Sequence, residues 1–322
     1  MLVKISPFLV VISSFFLSWM ILGRLIPYLR KNLMDQPNER SSHSIAKPNG
    51  GGIVFILMGT LFSTFSGNFI PLFCLPLAII GLIDDQYKLS NSLRYSFQIF
   101  TVIALILYMP WFYDLLSNYS FLFLGLRLLF LVIVGTAIIN FVNFMDGLDG
   151  LVAGCMAISI ATTSLLLSSS YLALFGALLG FLIWNWSPAK VFMGDTGSTF
   201  LGSVFVGIIF SSEGVKSSLG FLFLATPLLA DACICVIRRF LSGHSIFQPH
   251  RLHLYQRLNQ AGWGHSKVAS LYISATFMLA LVFIFGGFKW TIVFSAVVVY
   301  IGFLLDKYAS IPFYMASIKV KI

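Results

Sequence analysis

The sequence predicts an all-α fold, a polytopic membrane bundle of about eleven transmembrane helices, and three observations predict it. Apolar residues make up 58% of the 322-residue chain. Charged residues make up only 10%, against about 25% in soluble domains. Mean hydropathy is +0.94, and the apolar residues fall in long runs. Spans of roughly 20 residues with short loops use up such a chain, so 1–322 reads as a single membrane-embedded domain. A formal charge of +9 would suggest nucleic acid in a soluble protein. Here the basic residues are a topology signal, and no nucleic-acid partner is expected.

The first run, Ile5 to Leu22, is too long for the core of a signal peptide and no small-residue cleavage site follows it. It reads as an uncleaved first span. The next two, 53–66 and 69–83, are short, and Pro71 and Pro76 interrupt the second. They form either a tight hairpin around Ser66-Gly67-Asn68 or a partly re-entrant pair. The remaining spans are 96–109, 121–139, 150–168, 171–186, 199–211, 219–237, 268–285 and 290–305. Eleven crossings place 23–52, 84–95, 140–149, 187–198, 238–267 and 306–322 on one side. Sixteen of the 20 lysines and arginines lie there, Arg40 among them, and only Lys4, Arg127, Lys216 and Lys289 lie opposite. That asymmetry makes the first side cytoplasmic, with the N-terminus periplasmic and the C-terminus cytoplasmic. On the outer side Asp114 and Glu213 stand alone. Cys74, Cys155, Cys233 and Cys235 all sit in apolar runs and read as small buried hydrophobes, with neither a disulfide framework nor a zinc site indicated.

The cytoplasmic span ends collect the chemistry. "GLIDDQYKLS" (81–90) ends an apolar run on adjacent carboxylates, Asp84 and Asp85. Adjacent aspartates repel unless a cation lies near, and Lys88 is one helical turn on. The stretch is a divalent-metal or phosphate site, or a solvated span end with a local ion pair. "NFVNFMDGLDG" (140–150) places Asn140, Asn143, Asp146 and Asp149 three residues apart. Over these four positions the direction on a helix drifts by about half a turn, so a loop entering a helix fits better than one polar stripe, and the Asp-Gly pairs mark turns. A capping loop explains one such aspartate well and four spaced polar groups poorly. "SPAKVFMGDTGSTFLG" (187–202) is a glycine loop before a span. Backbone N–H groups at a helix N-terminus attract an anion, while Asp195 would repel phosphate unless a cation bridges them. With Lys190, this suggests a metal-bridged phosphate, the alternative being an ordinary helix cap. "FQPHRLHLYQRL" (247–258) offers His250, Arg251, His253 and Arg257 as cationic or switchable donors, which suits a phosphate or sugar clamp. Asp231 lies inside a span, where a carboxylate costs about 2.5–3.5 kcal/mol at mid-membrane, so it should face the bundle or a cavity.

Carboxylates, glycine loops and basic groups on one face imply a bound Mg²⁺, which takes oxygen ligands and substrate phosphates, with Mn²⁺ as the alternative ion. They fit transfer from a nucleotide diphosphate.

Five stretches in order carry a resemblance: "DQPNERSSHSIAKPNGGGI" (35–53), "GLIDDQYKL", "NFVNFMDGLDGL", "VFMGDTGS" and "HRLHLYQRL". With them the chain resembles the polyprenyl-phosphate N-acetylhexosamine-1-phosphate transferases, the family of MraY and WecA, over nearly its whole length. Eleven spans and an external N-terminus resemble the WecA branch. The resemblance implies that Asp84 and Asp85 lie near Mg²⁺ and the polyprenyl phosphate, with Lys88 the motif's lysine. It implies that Asp195 is a Mg²⁺ ligand and Asn143 a second, and that Asp146, Asp149 and Asn140 serve nucleotide binding and catalysis. His250, Arg251 and His253 fall in the loop that clamps pyrophosphate and sugar. Tyr255 and Gln256 stand where histidines are commoner, as in the enzymes that initiate O-antigen synthesis.

The expected reaction takes a UDP-N-acetylhexosamine and undecaprenyl phosphate at the cytoplasmic face of a bacterial inner membrane and gives undecaprenyl-diphosphate-sugar and UMP. It would begin O-antigen, lipopolysaccharide or a related envelope polysaccharide, and the lipid bilayer and a homodimer are the other expected partners. The rival from another class is a cation-coupled transporter, which also uses intramembrane carboxylates, although carriers place them near the midplane.

Overall fold

The computed structural model describes residues 6–37, 42–43, 45–112, 120–244 and 250–321. Lys4, Arg40 and Asp114, which the topology reading uses, lie outside the described residues. Helices dominate, and the only paired strands among the described residues are β1 (Met34–Asp35) and β2 (Lys47–Pro48), antiparallel, with Met34 opposite Pro48.

Most expected apolar runs coincide with a helix or part of one, while 69–83 breaks at Cys74 and 219–237 breaks at Ala225, each into two helices. The first helix is α1 (Pro7–Asn32), followed by α2 (Ile53–Phe65), α3 (Ile70–Phe73) and α4 (Leu75–Tyr87). The turn at Gly67, at φ +81°, separates α2 from α3, and the Asn68 side chain accepts from the Ile70 N–H at 3.1 Å. The chain continues through α5 (Asn91–Tyr108), α6 (Phe121–Phe144), α7 (Leu151–Leu166) and α8 (Leu172–Asn185). It ends with α9 (Gly194–Ser211), α10 (Gly214–Leu224), α11 (Thr226–Leu241), α12 (Leu254–Gln260), α13 (His265–Tyr308) and α14 (Phe313–Lys321).

Among the described residues three helices are long and apolar enough to cross a membrane: α1, α6 from Leu122, and α13; α10 and α11 form a pair bent by 78° that qualifies as one broken span. α13 holds 44 residues, about 66 Å if straight, twice a hydrocarbon core of about 30 Å. It is not straight. Gly287 sits at φ 70° and ψ −174°, a conformation a Cβ disfavours, between the expected spans 268–285 and 290–305. Tyr272 in its first half reaches Asp231 at 2.7 Å, and Asp306 in its second reaches Arg238 at 2.6 Å. Both partners are on α11, so the two halves lie alongside the same helix.

α9 sits in the middle, packed on α4, α5 and α6, while α8 packs on α1, α2 and α7. Phe200, Leu201, Val204 and Phe205 of α9 have no exposed surface. The outer faces are apolar as well: Phe65 is 78% exposed, Leu122 73% and Phe285 83%. Such faces are a liability in water and the natural partner of lipid tails. The protein is an all-α membrane protein.

Candidate active site

One end of the bundle holds a cavity of about 530 Å³. Asp84, Asp85, Lys88, Asn140, Asn143, Asp146, Asp149, Asp195, His250 and His253 all line it. They come from four segments spread over 170 positions of sequence. Two expected members are elsewhere. Lys190 turns its Nζ over the Trp184 ring, 5.0 Å from the centroid, and Arg251 is not among the lining residues.

Asp85 is held by four donors. Oδ1 accepts from Asn49 Nδ2 at 3.0 Å and the Asp195 N–H at 2.9 Å; Oδ2 accepts from the Thr196 N–H at 3.2 Å and its hydroxyl at 2.7 Å. Its carboxylate thus caps the N-terminus of α9 from a neighbouring helix, where the helix dipole and free N–H groups favour an anion. This corrects the phosphate expectation for the glycine loop: the anion seated on that helix end is Asp85. Gly194, at φ +73°, is required there, because a Cβ would run into Asp85 Oδ2.

Asp84 ends α4. Lys88 adopts a left-handed φ of 50°, which turns the chain so that the Leu89 N–H donates to Asp84 Oδ1 at 2.6 Å. The expected ion pair with Lys88 is replaced by one with Arg94, whose Nη1 is 3.0 Å from Asp84 Oδ2 and whose Nη2 is 2.9 Å from Asp195 Oδ2. Asn143 Oδ1 accepts from the Ser198 hydroxyl at 2.6 Å. Asn140 is engaged with Gln98 in a reciprocal amide pair at 2.7 and 3.1 Å, which pins α6 to α5.

The loop after α6 carries two carboxylates in opposite states. Burial, and then the charges of Asp85 and Asp149, push Asp146 up to about 8. Burial raises Asp149 too, but a His265 hydrogen bond, the Ala189 N–H, and the His265 and Lys47 charges outweigh it and hold it at about 2. Asp149 Oδ2 is 3.0 Å from the Ala189 nitrogen, 3.3 Å from His265 Nδ1 and 3.4 Å from Lys47 Nζ. Paired titratable groups pushed apart are a feature of catalytic sites.

His250 and His253 stack at 4.9 Å. Burial first, then nearby positive charge, lowers them to about 2 and about 3. Both are therefore neutral imidazoles at physiological pH, so of the expected cationic or switchable donors these two are not the cations. Arg257 is likewise spent on structure: its guanidinium holds the Leu252 and Ile311 carbonyls at 3.0 and 2.8 Å and pairs with Asp306. Cys235 comes within 4.8 Å of both histidines, an approach that sequence spacing did not anticipate, and the Arg239 charge beside them opposes a cation there. Asp231 accepts from the Leu254 and Tyr255 N–H groups at 2.7 and 3.0 Å and from the Tyr272 hydroxyl. It anchors the histidine loop from within the bundle, which accounts for a costly carboxylate in an apolar helix.

Residues 69–213 match the family model described as Glycosyl transferase family 4. The chain is 30% identical over 258 residues to the probable undecaprenyl-phosphate N-acetylglucosaminyl 1-phosphate transferase of Bacillus subtilis, spanning 72% of this chain and 71% of the relative. To the undecaprenyl-phosphate alpha-N-acetylglucosaminyl 1-phosphate transferase of Thermotoga maritima it is 32% identical over 256 residues, 76% and 79% of the two chains. To the phospho-N-acetylmuramoyl-pentapeptide-transferase of Bacillus subtilis it is 30% identical over 320 residues, 85% and 96% of the two.

The chain belongs to the polyprenyl-phosphate N-acetylhexosamine-1-phosphate transferases, the MraY/WecA family. The match to Glycosyl transferase family 4 contains the Asp84–Asp85 pair, the 140–150 loop and Asp195, while the histidine loop lies beyond it. The carrier alternative gains no support from these transferase relatives. Within this family's cavity, sequence reasoning passed over Arg94, Asn49, Gln98 and His265. Arg94 left a usable signal, as a cation one turn into α5 after the paired aspartates. Asn49 and His265 left none, because only folding brings Asn49 and the start of α13 to the same wall.

Proposed function

We propose that this protein transfers an N-acetylhexosamine-1-phosphate from a UDP-sugar to undecaprenyl phosphate, giving undecaprenyl-diphosphate-sugar and UMP. The observation that carries this reading is the convergence of Asp84, Asp146, Asp195 and Asn143 on one cavity at the ends of apolar helices. A site so placed can take one substrate from water and one from lipid. The lipid phosphate oxygen attacks the phosphorus bearing the sugar, the bond from that phosphorus to the bridging oxygen breaks, and UMP leaves with that oxygen. Asp84 positions the attacking phosphate, and Asp146, which carries its proton near neutral pH, is suited to proton transfer. Asp149, held ionised by Lys47 and His265, orients the nucleotide.

The donors suit a hard divalent ion. Asp195 and Asp84 offer carboxylate oxygens and Asn143 an amide oxygen, the set Mg²⁺ prefers. Arg94 between the two carboxylates acts as a cation at that place. When bound, Mg²⁺ or Mn²⁺ would neutralise the pyrophosphate charge.

The proposed setting is a bacterial inner membrane crossed by eleven spans. The N-terminus is periplasmic and the cavity opens to the cytoplasm, and the proposed role is initiating O-antigen or a related envelope polysaccharide. The test is release of UMP by purified protein from a panel of UDP-GlcNAc, UDP-FucNAc and UDP-QuiNAc with undecaprenyl phosphate. One sugar should support Mg²⁺-dependent turnover and Asp195→Asn should abolish it. Near-normal turnover by that variant would remove the metal assignment, and flux of a solute without UMP release would remove the transferase reading.

A further inference from the structure

Arg94 occupies an unusual position for a surface cation. It lies in the first turn of α5, a helix that begins at Asn91 with the Ser90 hydroxyl accepting from the Leu93 N–H at 3.4 Å. A helix start is the wrong end for a positive charge, since the dipole there is itself positive. The cost is offset by what the guanidinium reaches. One nitrogen is 3.0 Å from Asp84 Oδ2 and another is 2.9 Å from Asp195 Oδ2. A single planar fork thus ties together carboxylates from two helices, α4 and α9, a geometry that Arg can make and Lys cannot.

A divalent ion bridging Asp84 and Asp195 would compete for those two oxygens, since Asp84 Oδ1 already accepts from the Leu89 N–H at 2.6 Å. Asp85 cannot substitute for them, because its own oxygens are committed to Asn49, Asp195 and Thr196. A guanidinium and a divalent cation on the same pair of oxygens exclude each other, both by space and by like charge at about 4 Å. Arg94 must therefore leave before a metal can use both carboxylates. Its side chain lines the cavity and is 27% exposed, so it borders the space an entering substrate would fill. An entering diphosphate supplies a new partner of the right shape, since Arg pairs with phosphate as readily as with carboxylate.

Building on the transferase reading above, we propose that Arg94 is an internal counter-cation. It holds Asp84 and Asp195 while the cavity is empty and transfers to the diphosphate as a divalent ion takes the carboxylates. Metal binding is then conditional on nucleotide, and the empty site is guarded against loading a metal alone.

The probe is Mn²⁺, followed by electron paramagnetic resonance with the purified full chain in lipid nanodiscs, with and without UDP. In the wild type, UDP tightens Mn²⁺ binding by about tenfold or more, the equivalent of one charge-assisted bond exchanged. Arg94→Met binds Mn²⁺ without UDP about tenfold more tightly than the wild type, and most of the UDP effect is gone. Arg94→Lys keeps the charge but cannot span both carboxylates, so it falls between the two and decides the matter if Arg94→Met does not fold. Mn²⁺ affinity without UDP that is unchanged or weaker in these variants overturns the inference. Asp195→Asn separates this from the underlying reading. If that variant binds Mn²⁺ as the wild type does, the carboxylate metal site itself is wrong. If it loses Mn²⁺ while the Arg94 variants match the wild type, only the role of Arg94 falls.

Discussion

Gly81→Ala is the most economical way to test whether the spacing of α4 and α9 sets the chemistry. Gly81 lies one turn before Asp84, where α4 crosses the start of α9. A Cβ there would stand 2.6 Å from the Asp195 carbonyl oxygen, 2.7 Å from its carbon and 2.7 Å from the Thr196 nitrogen. Ordinary contact begins at 3.4 Å, so the two backbones must separate by about 0.8 Å. No flexible side chain can give way, because all three obstructing atoms are main chain. The displaced segment donates two N–H bonds to Asp85 and carries Asp195 itself. A misplacement of about 1 Å costs roughly a hundredfold in rate. The helix gains up to about 1 kcal/mol from Gly→Ala propensity, which partly offsets an overpacking cost of about 1–3 kcal/mol, so the protein should still fold. The expectation is therefore a folded variant with UMP release down roughly a hundredfold. Gly125→Ala is the control: a Cβ there meets nothing within 4 Å, and its turnover should match the wild type. Gly81→Ala turning over within a factor of three of that control would refute the argument that this close crossing sets the site.

Three further outcomes follow from the same geometry. Asp149 titrates at about 2 in the fold against an ordinary 3.8, a stabilisation of roughly 2.5 kcal/mol. It is fully present above about pH 4 and lost as pH falls through about 2. His265→Gln removes the main lowering partner, so acid unfolding followed by tryptophan fluorescence should begin at higher pH, and an unchanged acid limb would contradict the assignment. Asp231→Ala leaves two backbone N–H groups and the Tyr272 hydroxyl without their acceptor and should cost roughly 3–5 kcal/mol. Asp231→Asn, keeping one acceptor oxygen, should cost clearly less in thermal unfolding. Tyr255 donates to the Phe144 carbonyl at 2.9 Å, and a Cβ on Gly147 would strike that same hydroxyl. Gly147→Ala should therefore be strongly impaired and partly rescued by Tyr255→Phe, a non-additivity that a double-mutant cycle measures.

Much of this protein was legible before folding. Long apolar runs cannot be anything but buried or lipid-facing helices, because unpaired backbone is too costly in hydrocarbon, so the runs located most of the helices and the break between 268–285 and 290–305, but not the bend at Ala225 inside 219–237. The polar clusters at 84–85, 140–149, 195 and 250–253 stood out because nothing in an apolar chain hides them. What those residues do to one another was decided by the tertiary structure. Sequence placed Lys88 beside Asp84, one turn on; the left-handed turn at Lys88 instead closes the helix on Asp84 and leaves the ion pair to Arg94. The glycine loop promised an anion site, and the crossing of α4 on α9 filled it with Asp85. His250 and His253 read as cationic or switchable donors and are neutral in the fold, because burial among other positive groups makes a further charge too expensive. Local periodicity and composition report on the backbone and its solvent, and those the sequence carries in full. Charge state, hydrogen-bond partners and metal access depend on which distant segments share a few ångströms, and only the packing of the helices settles that.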